Sequence, residues 1–291
     1  MKTLRTVADL RADLDGPRRA GRSIGLVPTM GALHAGHQSL IRQARASCDV
    51  VVVTLFVNPA QFDESADLEV YPRDEQRDAQ LAGQAGADVL FAPAADEVYP
   101  LGFATSVSVS GVSSPLEGEH RGLEHFTGVA TVVVKLLNMA GPDVAFFGQK
   151  DAQQVAVIRR LVRDLDIPVR IEVGETVREP DGLALSSRNA RLAGEDRGRA
   201  LALRRALDAV RASVRDGERD PAVIAAAGRA AMSALHVEPE YLELVTPDSF
   251  ASVAQLNGEP VLAAVAARVG DVRLIDNEIL TPESRSADRR P

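Results

Sequence analysis

Residues 50–57 read Val-Val-Val-Val-Thr-Leu-Phe-Val. A run of strand length that is apolar at nearly every position has no face to offer water. It belongs in a parallel sheet covered on both sides. Its neighbours keep that rhythm. Residues 23–27 form a strand pattern closed by Pro28, and residues 37–47 a helix with Leu40, Ile41 and Ala44 on one face. A charged helical stretch, 73–84, leads to a strand at 89–91. A helix at 129–139, a strand at 144–147, a helix at 152–164 and a strand at 169–173 follow. Strand–helix alternation of this kind predicts an α/β domain on a mainly parallel sheet, assigned to residues 1–175.

The pattern then changes. Leu203, Leu207, Val210 and Val214 mark a helix, and Asp220-Pro221 supplies the N-cap and first position of another reaching residue 236. Strands are predicted at 241–245, 261–269 and 272–275, with Gly270-Asp271 turning the last two into a hairpin. Residues 176–291 are therefore expected to form a small α+β domain, with a polar, frayed tail at 281–291. Residues 111–125 hold Gly, Ser, Pro, Glu and His without clear period, which predicts an active-site loop or lid. No internal repeat is visible.

Composition narrows the functional classes. With 33 basic against 41 acidic residues the net charge is −8, a poor match to non-specific nucleic-acid binding. Cys48 is the single cysteine, so an internal disulfide or a cysteine-based zinc cluster is excluded. That suits a cytoplasmic protein. The first residues carry charge throughout, without the apolar stretch of a signal peptide, and no run is long enough to span a membrane.

Four stretches carry chemistry. Pro28-Thr29-Met30-Gly31-Ala32-Leu33-His34-Ala35-Gly36-His37 sits where the first long strand turns into a helix. That end of an open α/β sheet is where ligands bind. A helix starting there aims backbone N–H groups at an anion. Gly31 and Gly36 allow close approach of backbone and phosphate. His34 and His37 face one way on a helical turn and can donate hydrogen bonds to a triphosphate as charge builds. A tight turn with two solvated histidines is the plain alternative. Zinc binding lacks a third ligand nearby and the i, i+4 spacing of the common helical motif.

Asn58-Pro59-Ala60-Gln61-Phe62 closes the second strand. Asn58 and Gln61 suit substrate hydroxyls and carboxyl oxygens, or equally a proline turn with an Asn cap. Phe147-Gly148-Gln149-Lys150-Asp151-Ala152-Gln153-Gln154 stands at another strand-to-helix junction. Lys150 can meet a phosphate as a point charge. Asp151 can cap the helix, or hold a ribose or Mg²⁺, and Gln154 lies about a turn further on. Leu185-Ser186-Ser187-Arg188-Asn189 offers two hydroxyls and a guanidinium to a phosphate. No P-loop, Gly-x-Gly-x-x-Gly fingerprint or Gly-x-Ser-x-Gly elbow is present. Cys48 reads as a core residue of its helix rather than a nucleophile.

His-x-Gly-His alone indicates only the nucleotidyltransferase superfamily. Together, the four stretches from Pro28 to Asn189 resemble the pantoate–β-alanine ligase (pantothenate synthetase) family. The resemblance implies a Rossmann-like first domain, a C-terminal lid domain and a homodimer. The substrates it implies are ATP, Mg²⁺, pantoate and β-alanine, with no nucleic acid and no membrane. It also implies pantoyl adenylate as intermediate, with AMP and pyrophosphate released. His34, His37 and Lys150 would be catalytic. ATP would be bound by Met30, His34, His37, Gly148, Lys150, Asp151, Val177, Ser186, Ser187 and Arg188. Pantoate would meet Met30, Asn58, Gln61, Arg121 and Gln154. Two positions depart from the family pattern: Gln149 stands where Glu is usual and Ala152 where an aromatic is usual. Three rivals remain. An enzyme transferring AMP to a phosphate-bearing partner would need a basic pocket instead of the glutamine pair. A silent nucleotide sensor would have lost a histidine or Lys150. An RNA-binding synthetase-like protein is disfavoured by the acidic charge.

Overall fold

The computed structural model describes residues 1–61 and 71–281, divided into two compact units, Met1–Val177 and Arg178–Pro291. Phe62 and the tail beyond Thr281 lie outside the described residues.

The first unit runs β1 (Lys2–Leu4), α1 (Val7–Arg19), β2 (Ile24–Thr29), α2 (Ala35–Ser47), β3 (Val50–Leu55), α3 (Glu75–Ala85) and β4 (Val89–Phe91). It continues through α4 (Ala95–Val98), α5 (Glu117–Arg121), α6 (Leu123–Ala140), β5 (Val144–Gly148), α7 (Ala152–Asp164) and β6 (Arg170–Gly174). Every strand pair is parallel, in the order β1-β4-β3-β2-β5-β6. The apolar run of β3 explains itself in the packing. Val50 and Val52 face a core with Leu10, Leu14, Val129, Val133 and Ile158, while Val51 and Val53 face the opposite core with Leu40, Ile41, Ala82 and Ala85. α1, α6 and α7 thus cover one face, and α2 and α3 the other.

The order decides where a ligand can go. From β2 the chain moves outward through β3 and β4, then returns to place β5 on the other side of β2. Strand order reverses between β2 and β5, and open α/β sheets bind ligands outside the strand C-termini at such a point.

Several bounds differ from the sequence expectation. β1 and α1 were not expected. The first is a three-residue strand, and the second hides its buried Leu10 and Leu14 among charges and ends through Pro17. α6 begins at Leu123 rather than residue 129. Residues 111–125 are also more structured than the predicted loop. Gln153 on α7 is buried and accepts the Glu117 N–H (3.1 Å) while donating to the carbonyls of Val112 (2.9 Å) and Pro115 (2.7 Å). One side chain thereby fastens three points of the segment, and α5 and the start of α6 take up the rest.

The second unit holds α8 (Gly194–Arg199), α9 (Ala202–Arg215), α10 (Pro221–Ser233), β7 (Pro239–Val245), β8 (Val261–Val269) and β9 (Val272–Leu280). Its sheet is antiparallel in the order β7-β8-β9. Val261, Ala263, Val265, Ala267 and Val269, alternate residues of β8, join the α9 stripe Leu203, Leu207, Val210 and Val214 in one core. Gly270 and Asp271 make the predicted two-residue turn, with Gly270 at φ 55°, the glycine-first form that matches strand twist. Asp220 caps α10 by accepting the Ala222 N–H (2.8 Å), with Pro221 behind it. β9 runs on to Leu280 instead of stopping at 275. Its buried Asp276 pairs bidentately with Arg178 at 2.6 and 3.0 Å.

Candidate active site

Three chemistry-bearing stretches leave the C-terminal ends of three adjacent strands: His34 and His37 follow β2, Asn58 and Gln61 follow β3, and Lys150 and Asp151 follow β5. Residues as far apart in the chain as His34 and Asp151 are thus carried to the switch point.

The turn after β2 is built backbone first. Thr29 Oγ1 donates to the Thr54 carbonyl (2.6 Å) and accepts the Gly31 N–H (3.3 Å), tying the end of β2 to β3. Gly31 at φ 91° and Ala32 at φ 50° then reverse the chain. A Cβ on Gly31 would press on Leu55 (2.8 Å) and Asp78 (3.0 Å), so only glycine fits. Asp78, reaching over from α3, is 1% exposed and accepts both the Ala32 N–H (2.8 Å) and the Leu33 N–H (2.7 Å). Nothing in the motifs marked this carboxylate. The signal available was its place on the buried stripe of α3 with Ala82 and Ala85.

His34 and His37 complete a capping box on α2. His34 Nδ1 accepts the Gly36 N–H (3.1 Å), and His37 Nδ1 accepts the His34 N–H (3.3 Å). Each Nδ1 is an acceptor, so each neutral ring carries its proton on Nε2. Burial, reinforced by the charge of Lys150 and opposed by Asp151, holds His34 down at about 4. Burial, with His34 next, holds His37 down at about 3. The rings lie 4.1 Å apart between centroids. Two neutral Nε2–H donors stand together beside a lysine. Gly36 is what permits this, because a Cβ there would strike His34 Cε1 at 2.9 Å. The expected pair is therefore present, with one change: His34 is the cap of the helix rather than a residue on its first turn.

Lys150 sits in a 3₁₀ turn with Asp151, its Nζ donating to Asp151 Oδ1 (3.3 Å). Asp151 is the residue before α7 but makes no side-chain cap bond there. Gly148 ends β5, and a Cβ on it would meet nothing within 4 Å. Gln154 is half-buried on the first turn of α7. Arg121 ends α5, half-buried.

After β3, Asn58 is 1% exposed and its amide is fully engaged. Its Nδ2 donates to the Gly128 carbonyl (3.1 Å) and to Gln61 Oε1 (3.1 Å), and its Oδ1 accepts Tyr99 OH (2.8 Å) and the Ala60 N–H (3.3 Å). Of the two roles the sequence left open for Asn58, ligand contact or cap of a proline turn, the geometry shows the cap on Ala60 and adds a support for Gln61. Gln61 Nε2 donates to Met30 Sδ (2.8 Å), which joins the ends of β2 and β3. α6 comes close enough here that a Cβ on Gly128 would lie 2.0 Å from the Ala60 carbonyl oxygen.

Val177 closes the first unit. Ser186, Ser187 and Arg188 belong to the second, in a 3₁₀ turn where Ser186 Oγ accepts the Arg188 N–H (3.3 Å). That turn is anchored by Asn189, which donates to Glu179 Oε1 (2.9 Å) and the Ala184 carbonyl (3.0 Å). Cys48, which caps the C-terminus of α2 from a buried position, has its thiol pushed up chiefly by that burial, as an inert core residue would.

Among the described residues there is no cluster of three His, Cys, Asp or Glu side chains able to hold a metal, and no helix long and apolar enough to cross a membrane.

Comparison with known proteins gives one answer. The family model described as pantoate-beta-alanine ligase matches residues 2–279. A pantothenate synthetase of Cereibacter sphaeroides is 57% identical over 274 residues, covering 94% of this chain and 98% of that one. The crystal structure of pantothenate synthetase from Thermus thermophilus superposes with a TM-score of 0.90 at 45% identity, over 97% of this chain and all of that one. A pantoate-beta-alanine ligase from Francisella tularensis, complexed with beta-gamma ATP and beta-alanine, follows with a TM-score of 0.77 at 34% identity, covering 96% of this chain and 97% of that one.

Proposed function

The chain belongs to the pantoate–β-alanine ligase family and condenses pantoate with β-alanine at the expense of ATP; from that premise we propose that the reaction runs through pantoyl adenylate at the switch point between β2 and β5. A carboxylate oxygen of (R)-pantoate attacks the α-phosphorus of ATP, and the bond from that phosphorus to the oxygen bridging it to the β-phosphate breaks, releasing pyrophosphate. The amine of β-alanine then attacks the acyl carbon and AMP leaves, which forms the amide of pantothenate. No protein nucleophile is needed, because the adenylate is itself the activated acyl donor.

The observation that carries this reading is the pair of neutral imidazoles with both Nδ1 atoms occupied by backbone N–H groups. Each ring can present only an Nε2–H to a ligand. Such donors stabilise charge building on phosphate oxygens without carrying a titrating positive charge, and they need no rearrangement as the charge develops. Lys150 adds a positive charge beside them. Met30, Asn58, Gln61, Arg121 and Gln154 are assigned to pantoate on the family resemblance, with Asn58 standing behind Gln61. Gly148 and Asp151 are assigned to the adenosine, Val177 to ATP, and Ser186, Ser187 and Arg188 to the phosphates, on the family resemblance. The lid role of the second unit, the homodimer and the cytoplasmic setting rest on the same ground. Sedimentation of the purified protein checks the dimer.

Mg²⁺ would supply neutralisation of the phosphate charge. The described residues offer it no cluster of ligating side chains, so it would arrive on the phosphates of ATP.

Purified protein incubated with ATP, Mg²⁺ and D-pantoate, with and without β-alanine, tests the scheme. Sustained AMP and pantothenate formation should need β-alanine and should be lost in His34→Ala and Lys150→Ala. Folded, ATP-binding protein that makes neither product would overturn it.

A further inference from the structure

Asn58 is the pivot of a relay whose polarity is fixed by the backbone. Its amide lies between a backbone acceptor, the Gly128 carbonyl, and a backbone donor, the Ala60 N–H. A carbonyl cannot donate and an N–H cannot accept, so Nδ2 must point to Gly128 and Oδ1 to Ala60. The second hydrogen of Nδ2 then goes to Gln61, which must answer with its oxygen, Oε1, at 3.1 Å. Gln61 has no choice left either. Its Nε2 faces the opposite way, against Met30 Sδ at 2.8 Å. Thioether sulfur is a weak acceptor, so this N–H is open to exchange for a better one.

Tyr99 enters at the far end. Its hydroxyl donates to Asn58 Oδ1 at 2.8 Å, the shortest of the four bonds to that amide. The ring is wedged between Phe56 and Phe103, with centroids at 6.1 and 5.1 Å, and Lys135 Nζ lies over both Tyr99 and Phe103. Burial pushes the phenol up to about 12, so the hydroxyl keeps its proton and remains a donor at any working pH.

We infer that Tyr99 is a positioning residue for the acid substrate: it braces the Asn58 amide, whose sense the Gly128 carbonyl and the Ala60 N–H set, and so steadies the Gln61 amide with an N–H, never the carbonyl, turned toward the ligand. The substrate atom at this point must therefore be an acceptor, a carboxylate or hydroxyl oxygen. The inference rests on the assignment of Gln61 to pantoate made above, and two variants keep the questions separate. Gln61→Glu retains an oxygen for Asn58 but replaces the outward N–H by a second oxygen. Tyr99→Phe removes one hydroxyl and keeps the ring packing.

The experiment measures KM for pantoate, ATP and β-alanine in both variants, with far-UV circular dichroism and a thermal melt to confirm the fold. Gln61→Glu should raise the pantoate KM by about a hundredfold or more, since an acceptor then faces an acceptor. Tyr99→Phe should raise the pantoate KM about three- to tenfold, the worth of one neutral hydrogen bond, with ATP and β-alanine KM unchanged. An unchanged pantoate KM in Gln61→Glu would remove Gln61 from the acid site and defeat the assignment itself. A raised pantoate KM in Gln61→Glu but not in Tyr99→Phe would leave the site standing and overturn the relay. A Tyr99→Phe effect spread evenly over all three substrates would also overturn it, as a general loss of packing.

Discussion

Replacing Gly36 with alanine separates the stability of α2 from the geometry it serves. Helix propensity favours the change by up to about 1 kcal/mol, less in a first turn. One contact opposes it. The new Cβ would lie 2.9 Å from Cε1 and 3.0 Å from Nδ1 of His34, roughly half an ångström inside ordinary carbon contact. The least costly relief swings the imidazole away and gives up the Gly36 N–H···Nδ1 bond, 3.1 Å long in the native turn. Losing an N-cap interaction costs about 0.5–2 kcal/mol. The two stability terms are of similar size and opposite sign, so Tm should move by no more than about 4 °C. Catalysis has no offsetting term. The Nε2–H of His34 moves with its ring, and a misplacement near 1 Å in a positioned catalytic group costs about 10²-fold in rate. Gly36→Ala should therefore lose about ten- to a hundredfold in kcat/KM for ATP while melting close to the native protein. Steady-state kinetics with ATP varied, beside a thermal melt, reads both quantities. Turnover within twofold of native would refute the argument. So would a drop in Tm large enough to account for the lost activity by unfolding.

Asp78→Asn should cost about 1–3 kcal/mol by urea denaturation, because one buried N–H of Ala32 or Leu33 would face an amide donor instead of an oxygen. The same variant should raise the KM for ATP, since the loop it loosens carries His34. The histidines make stability pH-dependent on the acid side. Both are lowered from 6.5, to about 4 and about 3, so below about pH 6.5 the unfolded chain takes up protons that the folded chain refuses. Tm should fall as pH drops from 6.5 toward 4 and be indifferent to these groups above pH 7; in His37→Asn that decline should be shallower, and an equal slope would contradict the neutral pair. Asp276→Ala leaves the Arg178 guanidinium without the carboxylate it grips at 2.6 and 3.0 Å. It should destabilise the protein by about 1.5–3 kcal/mol in chemical denaturation, the worth of hydrogen bonds to a charged group, because the partly exposed Arg178 keeps water and the Gly182 carbonyl.

The parts of the fold that could be read in the sequence were those decided within a few residues. The four valines of β3 announced a strand buried on both faces, and Val50 and Val52 do lie in one core while Val51 and Val53 lie in the other. Asp220-Pro221 and Gly270-Asp271 are local devices, and both appear where expected. The start of α6 was missed because Glu124, His125 and Gly128 resemble loop composition. The structure buries His125 and Gly128, where the helix packs on the turn that carries Gln61. His125 Nδ1 lies 2.9 Å from the Gln61 carbonyl oxygen. That burial depends on residues more than 60 positions away in the chain, which no window can contain. The support that Asn58 gives Gln61 was out of reach for the same reason. The polarity of Asn58 suits a ligand contact, but its partners Tyr99 and Gly128 stand 41 and 70 residues along the chain.

The site uses one device three times. A side chain with ambiguous hydrogen-bonding sense is set against a backbone group whose sense cannot change. The Gly36 N–H fixes the tautomer of His34. The His34 N–H fixes that of His37. The Ala60 N–H and Gly128 carbonyl fix Asn58, and through it Gln61. In each case the outward end becomes an N–H donor. Every ligand these groups are assigned to is an anion, a triphosphate or a carboxylate. Neutral donors with fixed sense attract such ligands without a titrating charge of their own, which leaves Lys150 as the cation among the residues assigned to catalysis. The glycines at 36 and 128 are required because a Cβ at 36 would strike the His34 ring, and one at 128 would strike the backbone of Ala60 and Gln61. Substitutions that preserve polarity but reverse its direction, such as Gln61→Glu, should accordingly be worse than substitutions that remove it. A Gln61→Ala variant retaining more pantoate affinity than Gln61→Glu is the ordering this argument requires.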